Sequence, residues 1–197
     1  MPPQGRFTGA IFLPENVEPW TPDIITGQGF SCSRGEFRTF WTGARMKRDV
    51  KTHMCRCFIL RHQNHLAGYI TLLADKLTAE DARQNLQVHE DNRYSTFPAV
   101  KIGLLAADKR AKGAGSCLLE WAIEYVATEI SPRLGVRFLT VDALYDVDAD
   151  YDISSYYENF GFRFANREEA LPPPEPFRTL YFDLLPLIPG NEPVNVG

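Results

Sequence analysis

Long apolar runs are missing from this chain of 197 residues. Its longest are short stretches such as IGLLAA at 102 to 107, whereas a membrane span needs roughly 18 apolar residues. The first twenty residues also lack the basic leader, apolar core and small-residue cleavage site of a secretory signal. We therefore expect a protein that does not cross a membrane and that stays in the cytoplasm.

Cysteine and histidine are scarce, with four residues of each type. The cysteine spacings match neither a CxxC redox pair nor a zinc knuckle, and the histidines form no HExxH pattern. We expect free, mostly buried thiols in a reducing compartment, and no metal site. The cysteines are Cys32, Cys55, Cys57 and Cys117.

A strong net charge of either sign is also missing. The 21 Lys and Arg against 25 Asp and Glu leave a net charge of −4, which argues against nucleic-acid binding by bulk charge. The distribution is uneven, because residues 34 to 62 carry eight basic and two acidic side chains, a local net charge of +6. The basic ones are Arg34, Arg38, Arg45, Lys47, Arg48, Lys51, Arg56 and Arg61.

The composition, 44% hydrophobic and 12% aromatic, is that of an ordinary folded protein. We find no internal repeat and no second domain boundary. Residues 1–189 are assigned to one domain with an insertion at about 75–97, and residues 190–197 to a disordered tail.

A capping-box pattern predicts a helix within the basic segment, because Ser33 and Glu36 have the spacing of reciprocal N-terminal caps. Helical spacing places four side chains on one buried stripe and three arginines on the adjacent edge. The arginines either solvate a surface helix or form a docking face for an anion. The stripe is Phe37, Phe40, Trp41 and Ala44, and the edge is Arg34, Arg38 and Arg45.

The rest of the chain alternates strand and helix patterns. A hairpin is predicted at 55–61 and 66–74, and further strands at 99–107, 136–144 and 177–185. An amphipathic helix follows residue 115 and runs to about Ile130, where Pro132 and Gly135 stop it. A short helix at 153–160 ends at Gly161 as a left-handed cap.

The segment RAKGAG, from Arg110 to Gly115, lies between a predicted strand and a predicted helix. Small residues allow backbone N–H groups to approach a ligand closely, and a helix N-terminus favours negative charge. The segment lacks the GK[ST] of a Walker loop and the GxGxxG order. Taken alone, it is either a phosphate cradle or an ordinary tight turn.

The longer segment LLAADKRAKGAGSCLLEWA resembles the central motif of the GCN5-related N-acetyltransferase (GNAT) superfamily. That motif has Gln or Arg, two residues, Gly, one residue, then Gly or Ala, and here Arg110, Gly113 and Gly115 occupy these positions. The resemblance implies an α/β (α+β) GNAT fold over roughly residues 30–185. Such a fold has a mixed, mostly antiparallel central sheet flanked by helices, with strands splayed at the acetyl-CoA site.

Two other segments extend the resemblance. SSYYENFGF is similar to the closing GNAT motif, with Tyr157 at its tyrosine and Gly161-Phe162 at its turn. GFSCSRGEFRTFW at 29–41 and AGYITL at 67–72 resemble the GNAT branch that acts as toxins in toxin–antitoxin modules. Members of that branch acetylate the α-amino group of aminoacyl-tRNA and block translation.

The resemblance implies a set of acetyl-CoA contacts. The backbone of the strand before the loop would bind the pantetheine arm, and the N–H groups of the loop would bind the pyrophosphate. Arg110 and Lys112 are candidates to pair with the phosphates, although Lys109 is an equal candidate for the exposed cation. The predicted contacts are Leu104, Leu105, Ala106, Arg110, Ala111, Lys112, Gly113, Ala114, Gly115 and Ser116.

The resemblance also implies the chemistry. Tyr157 is the predicted general acid that protonates the departing sulfur, with a packing role as its alternative. No base stands out among Asp142, Glu158 and Asp108, since acidic residues beside loops are usually solvated, and an α-amino group is partly neutral at pH 7. Substrate contacts are predicted at Arg34, Arg38, Arg45 and Trp41, although Trp41 also suits a core position.

Three functions follow. The first is acetyl transfer from acetyl-CoA to aminoacyl-tRNA, with an antitoxin protein as a partner. The second is a GNAT that acts on a small amine or a protein N-terminus, and the third is a non-catalytic module that binds CoA or a partner. Toxins of this kind are commonly homodimers, but the sequence leaves the oligomeric state open. Cys117 is expected to be buried packing.

Overall fold

The computed structural model describes residues 5–78, 94–166 and 169–190. The chain divides into two compact units: one comprises Met1–Leu73 and Gly103–Ala122, the other Ala74–Ile102 and Ile123–Gly197. Most of the predicted insertion and nearly all of the predicted disordered tail lie outside the described residues. The two ends of the predicted insertion, residues 75–78 and 96–97, belong to the two longest of the described strands.

The elements follow the predicted order with shifted ends. They are β1 (Glu18–Pro19), α1 (Gly35–Thr42), α2 (Ala44–Lys51), β2 (Arg56–His62), β3 (His65–Thr78), β4 (Thr96–Ala107), α3 (Ala114–Tyr125), α4 (Ser131–Leu134), β5 (Phe138–Asp146), β6 (Tyr151–Asp152), α5 (Ser154–Glu158), β7 (Arg163–Phe164) and β8 (Phe177–Asp183). Single 3-10 turns occupy Pro14–Asn16 and Leu185–Leu187.

In the first unit, β2 and β3 form the predicted antiparallel hairpin, and β1 pairs with β2. The strands are rich in β-branched and aromatic residues, which suits a half-buried pleated surface. Tyr69 of β3 is fully buried at the centre of an aromatic cluster. Its ring lies 5.4 Å from that of Trp41 and 6.1 Å from that of Phe40, so α1 is held on this sheet face by ring packing.

The helical segment of the first unit differs from the prediction. Gly43 interrupts it, so that α1 and α2 are separate helices and Ala44 is exposed rather than part of the buried stripe. Met46 is the buried residue of α2. The predicted capping box is also absent, because Arg34 is the N-cap and makes no side-chain cap. Glu36 instead accepts a 2.7 Å hydrogen bond from Arg34 Nε.

In the second unit, β4 pairs in parallel with β5 over the four residues Ala99 to Ile102. β8 pairs antiparallel with β5, and β7 with β8, while β6 pairs with the end of β5. Phe97, Phe138 and Tyr181 form the aromatic centre of this core. Phe138 meets the other two rings edge-on at 6.0 and 5.9 Å.

The helix after the glycine loop runs further than predicted. α3 passes through a π turn at Val126–Ile130 into α4, and Ser131 Oγ donates 2.8 Å to the carbonyl of Val126. Pro132 does not stop the helix; it lies in α4, directly after the π turn. Gly135, at φ +62°, ends it.

The observed sheet confirms the predicted fold class. In the described ranges, eight strands form an open, mixed and mostly antiparallel sheet, and helices accompany it. Among the residues described, every helix is too short or too polar to cross a bilayer. Within the same ranges, no three His, Cys, Asp or Glu side chains come together as a metal site.

Candidate donor and acceptor site

The carboxyl end of β4 has an unusual hydrogen bond. The N–H of Leu104 donates 2.8 Å to the hydroxyl oxygen of the buried Thr71 on β3. A Cβ at Gly103 would lie 3.0 Å from that hydroxyl and 2.8 Å from Leu73. A side chain at position 103 would therefore displace the Leu73 and Thr71 side chains. Leu104 and Leu105 are half-buried and Ala106 is buried.

Asp108 anchors the loop that follows β4. Its side chain is 1% exposed, and its carboxylate accepts hydrogen bonds from the N–H of Ser31 and of Arg110, each at 3.0 Å. The backbone N–H of Asp108 donates to Ala67 of β3, and that of Lys109 donates to Ser31, each at 2.8 Å. Asp108 is thus a buried structural carboxylate and not the solvated residue that the sequence predicted.

The Arg110 side chain lies on this carboxylate. Nε donates 2.7 Å to Asp108 Oδ1, Nη2 donates 2.6 Å to Oδ2, and Nη2 also donates 2.6 Å to the carbonyl of Gly29. Burial raises the pKa of Asp108, but the hydrogen bonds from Arg110 and Ser31 outweigh it and hold that pKa below its usual value. Asp108 is therefore ionised at neutral pH, and the pKa of Arg110 is raised by the same pair.

The loop leaves a group of N–H donors at the start of α3. Ala111 N–H donates to Asp108 and Ala114 N–H to Ala111, while Arg110 N–H is taken by the Asp108 carboxylate. Four others make no backbone hydrogen bond within the described chain. They are the N–H groups of Lys112, Gly113, Gly115 and Ser116. Gly113 is at φ +86°, a conformation that glycine adopts without strain.

A cleft of about 500 Å³ lies beside β4 in the first unit. Its apolar wall includes Phe37, Phe40, Met54, Leu73 and Leu104. Its charged lining is Glu36, Arg45 and Asp49. Cys55 also lines it, and burial raises the pKa of this thiol, so it is not a thiolate at neutral pH.

The three predicted docking arginines do not share one helical edge. Arg34 precedes α1, Arg38 lies on α1, and Arg45 lies on α2. Arg34 pairs with Glu36, and Arg45, 72% exposed, pairs with Asp49 at 3.3 Å. Only Arg45 of the three lines the cleft.

Trp41 packs rather than lining the cleft. Its indole stacks on Tyr69 and meets Trp20 edge-on at 6.4 Å. The core alternative predicted for Trp41 matches these contacts. Cys117 is buried as expected, and burial raises the pKa of its thiol to about 11.

Tyr157 belongs to the second unit, in α5. It is 7% exposed, and its ring lies 5.3 Å from Tyr156 and 5.6 Å from Phe162. Its carbonyl accepts from the N–H groups of Phe160 and Phe162. Burial, and then the neighbouring Tyr156 and Tyr151, raise the pKa of Tyr157 above its usual value. The phenol is therefore protonated at neutral and mildly alkaline pH.

The remaining acidic candidates differ in their surroundings. Asp142 accepts from Thr179 Oγ1 at 2.9 Å and pairs with Lys101, whereas Glu158 is exposed. Asp142 is therefore already engaged by two neighbouring side chains.

Sequence reasoning missed Asp108 as an anchor, together with its partners Gly29 and Ser31. An aspartate two residues before an arginine, at the end of a buried strand, was a usable signal for the pair. Nothing in the sequence indicated that residues 29–31 would lie beside it, 77 positions away along the chain.

The strand, glycine loop and helix, together with the sheet order, match the fold of solved GNAT toxins. Similar solved structures include AtaT complexed with acetyl-methionyl-tRNAfMet, which is 23% identical, with 87% of this chain and 95% of that chain covered and a TM-score of 0.68. The AtaT toxin carrying a tyrosine-to-phenylalanine substitution, bound to the C-terminus of the antitoxin AtaR and acetyl-CoA, is 23% identical, with coverages of 85% and 92% and a TM-score of 0.61.

A variant of KacT with a tyrosine-to-phenylalanine substitution is also similar, at 21% identity, coverages of 85% and 94%, and a TM-score of 0.67. No protein-family model and no curated protein sequence matches this chain. At these identities the likeness is one of fold.

Proposed function

We propose that this chain is an acetyl-CoA-dependent N-acetyltransferase whose acceptor is the α-amino group of an aminoacyl-tRNA. The observation that carries the proposal is the group of open N–H donors at the start of α3, next to a strand that also lines a cleft. The donor site and the acceptor site would then share β4. AtaT, which has the same fold, has been solved with acetyl-methionyl-tRNAfMet and with acetyl-CoA.

The loop suits the pyrophosphate of acetyl-CoA. Four neighbouring N–H groups lie at the positive end of a 12-residue helix, an arrangement that binds anions. Gly113 has open space where a Cβ would stand, so nothing blocks the approach of a ligand to its backbone. The exposed Lys112 adds a cation for the phosphates, and Leu104 to Ala106 would bind the pantetheine arm along β4.

In the proposed reaction, Tyr157 is the general acid and water is the proton acceptor. Acetyl-CoA, when bound, supplies a thioester carbonyl that the neutral amine attacks, with the sulfur as leaving group. Tyr157 donates its phenolic proton to that sulfur, because burial keeps the phenol protonated. Water accepts the proton that the amine loses, since an α-amino group with a pKa of about 7.7 to 8.0 is already partly neutral.

The basic first helices suit a polyanionic acceptor. Arg38 and Arg45 are exposed, and Arg34 lies at the start of α1. Phosphate contacts from such side chains need no fixed geometry and are weakened by salt. In this proposal they hold the tRNA backbone, while the cleft takes the aminoacyl end. An antitoxin protein would be the natural partner of such a toxin in the cytoplasm.

The second candidate function is acetylation of a small amine or a protein N-terminus. The charged lining of the cleft favours it, because Glu36 and Asp49 outnumber Arg45 there and the net negative charge attracts a cationic amine. The net charge of −4 points the same way.

The test measures transfer of labelled acetyl from acetyl-CoA into total aminoacyl-tRNA, with free amino acids, polyamines and peptides in parallel. We expect label in the tRNA fraction, lost in Tyr157→Phe. Tyr156→Phe is the matched control, since it removes the hydroxyl of the adjacent tyrosine, and we expect it to keep transfer.

Label found only in a small amine or peptide would move the protein to the second function. No label in any fraction, together with bound acetyl-CoA, would identify a binding module instead. Equal rates of acetyl transfer by Tyr157→Phe and the parent protein would show that Tyr157 is not the general acid.

A further inference from the structure

One buried carboxylate joins three separate segments of the first unit. Asp108 accepts hydrogen bonds from Ser31 N–H, from Arg110 N–H and from two nitrogens of the Arg110 side chain. The guanidinium also binds the carbonyl of Gly29. These bonds connect residues 29–31, the end of β4 and the glycine loop through a single ion pair, which we call the clamp (Asp108 and Arg110).

The clamp uses the side chain that the family motif would place on the phosphates. Three N–H groups of the Arg110 guanidinium point to protein acceptors at 2.6 to 2.7 Å, which are short, charge-assisted distances. An arginine held in this way contributes fixed loop geometry, whereas phosphate binding falls to the backbone N–H groups and to Lys112. Backbone donors that are held in place lose little entropy when an anion binds.

The clamp is also connected, through Ser31, to the helix that lines the cleft. Ser31 lies four residues before the first residue of α1, Gly35, and Phe37 and Phe40 of that helix line the cleft. The carbonyl of Phe37 accepts a 2.7 Å hydrogen bond from the hydroxyl of Tyr69 on β3. The approach to α1 is therefore fixed at Ser31 by Asp108 and at Phe37 by Tyr69.

We propose that Asp108 and Arg110 are positioning residues that hold the phosphate loop and the segment leading to α1 in one arrangement, so that the donor and acceptor sides are set together. This inference rests on the proposed function for the identity of the donor. Neither residue touches the reacting atoms. Their loss would raise the KM for acetyl-CoA and for the acceptor together, because both sides depend on the same pair.

The competing interpretation is that Arg110 contacts the phosphates directly. The two interpretations predict opposite results for Asp108→Asn. If Arg110 contacts the phosphates, Asp108→Asn releases the Arg110 side chain from its ion pair, so acetyl-CoA binding stays unchanged or becomes tighter. If the clamp positions the loop, Asp108→Asn and Arg110→Gln weaken binding alike, and the double variant loses no more than either single variant.

The experiment compares Asp108→Asn, Arg110→Gln, Arg110→Lys and the double variant by titration with acetyl-CoA and by initial rates. We expect each single variant to weaken acetyl-CoA binding by about tenfold, the effect of losing a charge-assisted hydrogen bond, and to raise the acceptor KM while kcat changes less. Arg110→Lys should recover only part of the loss, since lysine lacks the planar fork. Arg133→Gln, which breaks an exposed arginine pair with Glu129, is the matched control.

Backbone hydrogen exchange of the protein without acetyl-CoA supplies the second readout. Arg110→Gln should speed exchange at Lys109 and Ser31, although the substitution lies in only one of the two segments. Arg110, whose side chain is 45% exposed, can be replaced without opening the core, so this variant keeps the test valid if Asp108→Asn fails to fold.

Acetyl-CoA binding that is unchanged or tighter in Asp108→Asn, or additive losses in the double variant, would overturn the clamp and leave the proposed function standing. Faster exchange confined to the loop would overturn the link to α1. If the parent protein binds no acetyl-CoA, the proposed function fails and this inference fails with it.

Discussion

Two regions of the first unit are the proposed anion sites, and they are built in opposite ways. In the glycine loop, from Asp108 to Ser116, Arg110 is bound to a carboxylate that is 1% exposed, and the open donors are backbone N–H groups. At the basic helices, α1 and α2, Arg34 pairs with Glu36, and Arg45 and Arg48 pair with Asp49.

This difference between fixed backbone donors and exposed side chains suits the two regions to different ligands. Fixed backbone donors suit one small ligand in one position, because their geometry is set before binding. Exposed arginines can follow a long, irregular polyanion, but salt screens them and each pair contributes little to stability. The loop is thus the donor side and the helices the acceptor side of the proposed enzyme.

The largest effect is expected on kcat, from a residue that lies in neither of the two proposed binding regions. Tyr157→Phe should lower kcat by about 100- to 10,000-fold, the range for loss of a general acid, with little change in either KM. Steady-state kinetics with acetyl-CoA and aminoacyl-tRNA measure it. A rise in KM with kcat unchanged would instead assign Tyr157 to binding.

Acid titration of stability tests the buried carboxylate of the loop. The folded-state pKa of Asp108 is lowered. The charge of Asp108 therefore stabilises the fold fully above the unfolded-state pKa of about 3.9, and this contribution is lost as the pH falls through the folded-state pKa. Asp108→Asn should therefore lower the free energy of unfolding by about 2 kcal/mol at pH 7, with a smaller difference below pH ~4.

Urea unfolding at several pH values measures this difference. Glu129→Gln, which breaks an exposed pair, should change stability by less than about 1 kcal/mol. A difference for Asp108→Asn that does not depend on pH would contradict the role of its charge.

Salt dependence tests the basic helices. Replacing Arg34, Arg38 and Arg45 together by Gln should weaken tRNA binding and lower the slope of log K against log salt by about 2, since each lost phosphate contact removes roughly 0.7 to 0.9. Acetyl-CoA binding should not change. The comparison variant replaces Arg133, Arg163 and Lys76, which are exposed cations of the second unit, and an equal loss there would mean that tRNA binds by bulk charge.

The smallest effect concerns the backbone of the loop. Gly113→Ala forces a side chain into φ +86° and should cost about 1 kcal/mol of stability and raise the acetyl-CoA Kd by about fivefold. Gly135→Ala, at φ +62° after α4, carries the same kind of strain outside the loop. If both variants weaken acetyl-CoA binding equally, the effect is general destabilisation and not loop geometry.

Much of the fold was predictable because it is local. Alternating β-branched and aromatic residues gave the hairpin and the strands, and the spacing around Gly113 marked the loop. The helical details were not predictable in the same way. Gly43 ends α1 although helical spacing continues through Ala44, and Pro132 lies inside a helix that the pattern ended.

Two predicted site residues make contacts that the sequence did not indicate. The sequence marked Arg110 as a phosphate ligand, yet its side chain binds Asp108 and Gly29. It marked Trp41 as a groove residue with packing as the alternative, and the indole packs on Tyr69. Both outcomes depend on neighbours that are distant in the chain, which a local pattern does not contain.

By itself, the sequence determined the longer strands, the position of the glycine loop, and the tyrosine of the last short helix. Those features follow from side-chain periodicity and from the backbone freedom of glycine, which are properties of neighbouring residues. The tertiary structure was needed to show which polar atoms form hydrogen bonds within the protein and which stay open to a ligand. That division depends on burial and on hydrogen-bond partners, such as Asp108 with Ser31, that folding brings together from opposite parts of the chain.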